Sequence, residues 1–250
     1  MNMQRTIALV KIQVKKIIRE PAYLFLMILF PAMLTLVFGL GFGELESGIP
    51  GRSQFDVMVP GLFAYACIFI IMIVAQSFTD DREQGLLKRI NITPTTSGEF
   101  MGSNIISNTI IAMMQVGIVA ACTFAMGFRP EGGISGYVLA LLFIGFLAVC
   151  SVGLGLITAT ISKNASTATG LSFIFIMPQM FFGTFMPLTD TTRNIAAFLP
   201  SYYVTDSLTM IFNGTALTEI DIWTNLAAVA IISVVIVIVG IQLFKKYGKA

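Results

Sequence analysis

Six stretches of this 250-residue chain contain no Asp, Glu, Lys or Arg, and each is long enough to cross a bilayer as a helix: 22–43, 58–78, 103–126, 136–161, 168–188 and 222–244. A hydrocarbon layer of about 30 Å needs roughly 20 apolar residues in helical form. Lipid offers no partner to a bare backbone N–H or C=O, so helix is the expected conformation of each stretch. The expectation is one all-α integral membrane domain over residues 1–250, with six transmembrane helices. Only 11% of residues are charged, against about a quarter in an ordinary soluble domain.

Lys and Arg orient the spans, because they collect on the cytoplasmic side. With the N-terminus inside, Arg5, Lys11, Lys15, Lys16, Arg19, Arg82, Lys88, Arg89, Lys163, Lys245, Lys246 and Lys249 all fall inside, leaving Arg52, Arg129 and Arg193 outside. Both termini are then cytoplasmic. The first twenty residues carry five basic residues, and no small-residue cleavage site follows the first apolar run, so a cleavable leader is not expected.

Several function classes lose support. A net charge of +2 offers no basic stripe for nucleic acid. There is no histidine, which removes a Ser-His triad and a His-ligated metal. Cys67, Cys122 and Cys150 sit inside apolar runs without disulfide or zinc spacing. No G-x-x-x-x-G-K-[ST] loop is present, so the chain has no ATP site of that kind. The span cores carry no acid or base with which to bind a coupling ion. Their polar side chains are mild: Gln76, Gln115, Gln179 and scattered Ser and Thr, expected to hydrogen-bond between helices. An enzyme has little chemistry to draw on here.

Residues 3–20 read as an amphipathic interfacial helix. Ile7, Val10, Val14, Ile17 and Ile18 share one side, and Arg5, Lys11, Lys15, Lys16 and Arg19 cover the other. Such a helix packs against a cytoplasmic partner or against the span bundle. Ser151, Gly155 and Ala159 form a small-residue stripe for close helix packing, either within the bundle or between subunits. Pro178, Gly183 and Pro187 interrupt the fifth span. Residues 190–214, broken by Pro200, read as two short helices at or dipping into the outer membrane face.

The densest charge lies at 80–91, "DDREQGLLKRIN", between the second and third spans. Thr79 or Asp80 can cap a short helix there, with Glu83 completing a capping box. Acids lead and bases follow, in favour with the helix dipole. Leu86, Leu87 and Ile90 give it an apolar ridge. Two readings fit: a solvated loop helix, or a helix that docks in a groove of another protein.

The order of these parts resembles the ABC-2 type permeases, the membrane subunits of ATP-binding-cassette exporters. The likeness rests on Glu83, Gly85, Leu87 and Pro94, followed by "TTSGEFMGSNI", and on Pro187, "LPSYYVTDSL" and Gly214. It covers essentially the whole chain. A second proline expected soon after Pro187 is replaced by "TDTTR", and an arginine expected within "SLTMIFNG" is missing. The resemblance implies a transport permease rather than an enzyme, multi-pass in a prokaryotic plasma membrane. Its partners would be an ATP-binding-cassette ATPase subunit, a second copy or a paralogous permease, and membrane lipid. ATP and Mg would be used by the ATPase and not bound by this chain. Asp81, Arg82, Glu83, Gly85, Leu86, Leu87, Lys88 and Arg89 would form the coupling helix against that ATPase. Pro178, Gln179, Phe181, Phe182 and Pro187 are the candidates for lining or gating the substrate path. The cargo would be a drug, a lipid or a lipid-linked glycan. The alternatives are an ATP-independent secondary transporter or channel, or a membrane scaffold.

Overall fold

The computed structural model describes residues 3–19, 21–85, 97–185 and 189–247. Every regular element among the described residues is helical, apart from one isolated bridge between Glu46 and Ser53. In chain order the helices are α1 (Met3–Arg19), α2 (Pro21–Phe42), α3 (Gln54–Glu83), α4 (Ser97–Ala125), α5 (Gly133–Ile161) and α6 (Ala165–Met180), which runs on as a π-helical turn, Phe181–Phe185. Then follow α7 (Asp190–Ala196), α8 (Pro200–Phe212) and α9 (Ile220–Tyr247).

Local chemistry accounts for the ends. Ser53 caps α3 through a reciprocal pair: its hydroxyl accepts from Asp56 N–H at 3.2 Å, and its own N–H donates to Asp56 Oδ2 at 2.9 Å. Asn164 Oδ1 accepts from Thr167 N–H at 2.8 Å and starts α6. Pro200 occupies the first turn of α8, where its missing N–H costs nothing. The two short helices expected in 190–214 are thus α7 and α8.

Among the described residues five helices are long and apolar enough to cross a membrane: α3, α4, α5, α6 with its π-helical turn, and α9. The expected first span coincides with α2, whose apolar stretch Leu29–Phe42 is by itself about 21 Å long. α3 is the axis of the bundle and packs most extensively on α5 and α6, while α5 also packs on α9. From Val59 to Ile68 every residue of α3 is buried.

The small-residue stripe of α5 serves the inside of this bundle. Ser151, Gly155 and Ala159 are all buried. A Cβ on Gly155 would stand 2.8 Å from Ile71 O and 2.8 Å from Val74 Cβ on α3. Gly153 faces the opposite neighbour, with Ile236 of α9 2.8 Å from its would-be Cβ. Side-chain area is traded here for backbone proximity, as in other tightly packed membrane helices.

The mild polar residues behave differently from the expectation of interhelical bonding. Thr79, Ser107, Thr158, Thr160 and Ser172 each donate to the carbonyl four residues earlier on their own helix. Gln115 is buried with neither amide atom partnered. Ser233 does bridge helices, donating to Phe146 O on α5 at 2.9 Å.

Candidate functional site

The charged stretch does not begin a new helix at Thr79 or Asp80. α3 continues through both to Glu83, so residues 80–83 are the last turn of a 30-residue helix. Thr79 is buried and its hydroxyl returns to Ala75 O at 2.7 Å, leaving it no role as a cap. The chain leaves the helix at Gly85, whose φ of +74° is a left-handed conformation that suits glycine. Leu86, Leu87, Lys88 and Arg89 lie outside the described residues.

Two of the candidate coupling residues turn into their own protein. Asp81 is buried and ion-pairs with Lys16 of α1. Arg82 reaches α5, donating to Ser162 O and, at 3.5 Å, to Thr160 O. These carbonyls are at the C-terminal end of a helix, where acceptors are in surplus and the dipole is negative. The end of α3 is therefore tied on one side to α1 and on the other to α5. Glu83 is exposed. Sequence spacing gave no sign of this knot, since Lys16 and Ser162 lie 65 and 80 residues from their partners.

The interrupted fifth span makes the second cluster. Pro178 lies within α6, half-buried, and the helix widens into the π-helical turn three residues later. Gln179 is 2% exposed. Its carbonyl accepts from Thr184 Oγ1 at 2.8 Å and from Ser201 Oγ of α8 at 3.3 Å. Two glycines let the π-helical turn in. A Cβ on Gly183 would sit 2.0 Å from Ser201 Oγ, and one on Gly61 of α3 would sit 2.7 Å from Thr184 O. Of the path candidates, the structure thus ties Gln179 to α8 through its carbonyl. Phe182 is half-buried, Phe181 is 46% exposed on the outer surface, and Pro187 lies outside the described residues.

An aromatic group beside this turn was not singled out in the sequence. Phe185 stacks on Phe38 of α2 with centroids 5.5 Å apart, and lies 5.8 Å from Tyr65 of α3. Phe30 stacks on Phe69 at 4.8 Å. The available signal was the spacing of Tyr65 and Phe69, one turn apart on one helix face.

At the other end of α3, Arg52 joins three connections. Its guanidinium pairs with Glu131 at 2.9 Å and donates to Phe212 O at 3.3 Å and to Asn213 Oδ1. Glu131 N–H also donates to Phe212 O, at 3.0 Å. The α2–α3 loop, the α4–α5 turn and the end of α8 are held together by this clasp.

A bundle of apolar, membrane-length helices, with an interrupted span packed on a short inserted helix and its charges gathered at the helix ends, defines a multi-pass membrane protein. Its class is a membrane transport permease. The family description "ABC-2 type transporter" matches residues 4–213, and the chain belongs to that family. No curated protein matches the chain.

Proposed function

We propose that this chain is the permease subunit of an ATP-driven exporter. It works with a separate ATP-binding-cassette ATPase and with a second copy or a paralogous permease, in a prokaryotic plasma membrane. In this reading α2 is the sixth span: its 22 residues extend about 33 Å, enough to cross the hydrocarbon. Both termini and the stretch 80–91 are then cytoplasmic, and α7 and α8 approach from the outer face.

The observation that carries the proposal is the knot at the end of α3. Residues 80–83 are the last turn of the most buried helix of the bundle, and 84–91 follow it in sequence. Through Asp81 and Arg82 that helix end is linked to α1 and α5. A push on 80–91 by a closing ATPase pair would move α3, α1 and α5 together, and the bundle would rock between inward- and outward-facing states. Pro178, Gln179, Phe181, Phe182 and Pro187 belong to the span that would change shape along the path. The cargo would be hydrophobic or amphipathic: a drug, a lipid or a lipid-linked glycan.

The test is charge reversal at Arg82 and Glu83, singly and together, with ATPase co-purification and transport both measured. Glu83→Lys reverses only an exposed charge, so it probes the contact without disturbing the Arg82 link. Loss of ATPase binding or of transport is expected. Unchanged coupling in all three variants sinks the assignment.

A further inference from the structure

α1 is amphipathic, and part of its apolar side is occupied. Thr6 is buried and Val10 and Val14 are half-buried where α1 lies on α4. Lys16 has left the basic side to pair with Asp81. What remains outward is a stripe one side wide. Lys11, Lys15 and Arg19 follow one another at four-residue spacing, each about 6 Å further along the helix, and all three are exposed. Ile7, 60% exposed, and Ile12, 64% exposed, flank the stripe on either side. Among the described residues none of the three cations is ion-paired.

We propose that this outward face of α1 is a binding surface for the headgroups of anionic phospholipid. Two observations favour lipid over a protein groove. The stripe ends at Arg19 and α2 begins at Pro21, so, with α2 taken as a span as proposed above, the cations lie within about three turns of the point where the chain turns into the bilayer. The flanking isoleucines would be costly in water but sit well at the boundary of headgroup and acyl chain. Cations between them place charge at the phosphate level, where an anionic leaflet attracts each Lys or Arg. Among the described residues the stripe carries charge of one sign only, which suits an anionic surface better than a mixed-charge protein contact.

The experiment needs neither ATP nor a partner, so its failure is separable from failure of the transport reading. The full chain carrying Ile12→Trp and Trp223→Phe is reconstituted in nanodiscs. These contain brominated phosphatidylglycerol or brominated phosphatidylcholine at equal mole fraction, and quenching of the introduced indole is read. Brominated phosphatidylglycerol should quench several-fold more strongly, and the preference should fall in high salt. Lys11→Gln with Lys15→Gln should remove most of that preference, since each cation near an anionic leaflet carries a comparable share of the attraction. A second measurement uses the chain with no tryptophan change: native mass spectrometry should find phosphatidylglycerol retained over phosphatidylcholine, and retained less in the Lys11→Gln, Lys15→Gln variant. Equal quenching by the two lipids overturns the proposal. So does absence of quenching by either, which would turn the face to water or to a protein partner.

Discussion

Gly155→Ala tests the packing on which the whole bundle depends. The added methyl would meet Ile71 O and Val74 Cβ, each at 2.8 Å, and Val74 Cγ1 at 3.0 Å. A carbonyl and a Cβ cannot swing aside, so α3 and α5 must part by about 0.6 Å to restore ordinary contact. Overpacking of this kind costs about 2 kcal/mol, within a usual range of about 1–3 kcal/mol. For a chain of this size that is about 4–8 °C in unfolding temperature. The protein carries its own reporters: Cys67 on α3 and Cys150 on α5 are both buried, Cys67 with its thiol 3.8 Å from Ile144 O across the same interface. A maleimide dye that fluoresces on reaction with thiols, followed during heating, reads the separation of these helices. Gly145→Ala on the same helix is the control, since a Cβ there meets nothing within 4 Å. It should unfold at the parent temperature or higher. If Gly155→Ala unfolds with the parent, the helices are not in backbone contact and the reasoning fails.

Three further perturbations read other parts of the structure. Gly183→Ala should cost about 1–3 kcal/mol through its collision with Ser201, and adding Ser201→Gly should recover most of the lost unfolding temperature; an additive double variant would refute the contact. Ser53→Ala removes the cap of α3 and should lower stability by about 1 kcal/mol in the same thermal assay, whereas no change would mean that the cap is dispensable. Arg52→Ala should leave global stability within about 1 kcal/mol, because Glu131 is largely exposed and surface pairs are weak. It should speed proteolysis of the loop 43–53, and an unchanged cleavage rate would argue against the clasp.

The five membrane-length helices were legible because an uncharged run of 20 or more residues has few conformations open to it in lipid. Pro200 was legible as a break, and the structure uses it as the first turn of α8. The helix start expected at Thr79 was an error of local pattern. A Thr followed by acids matches a capping box, but the same residues can continue a helix that is already formed, and Thr79 then turns its hydroxyl back to Ala75 O. Periodicity divided α1 into apolar and basic sides, yet Ile7 of the apolar side is exposed, and Lys16 changed role because a buried carboxylate 65 residues away needed a counter-charge. Contacts such as Arg82 to Ser162, or Gly183 to Ser201, depend on which helices become neighbours. One sequence read alone does not specify that. The direction faced by the Gly155 stripe was undecided for the same reason: small residues announce close packing without naming the partner.

The Arg52 clasp has a consequence for how the protein is made. Its acceptors at Phe212 and Asn213 lie 160 and 161 residues downstream. At roughly 5–20 residues per second, the ribosome needs on the order of ten to thirty seconds to deliver them after Arg52 has emerged. Through that interval α3 can be in place while Arg52 has Glu131 to pair with but not its acceptors at the end of α8. This end of the bundle is closed late in synthesis, and a nascent chain stopped before Phe212 lacks the last part of its clasp.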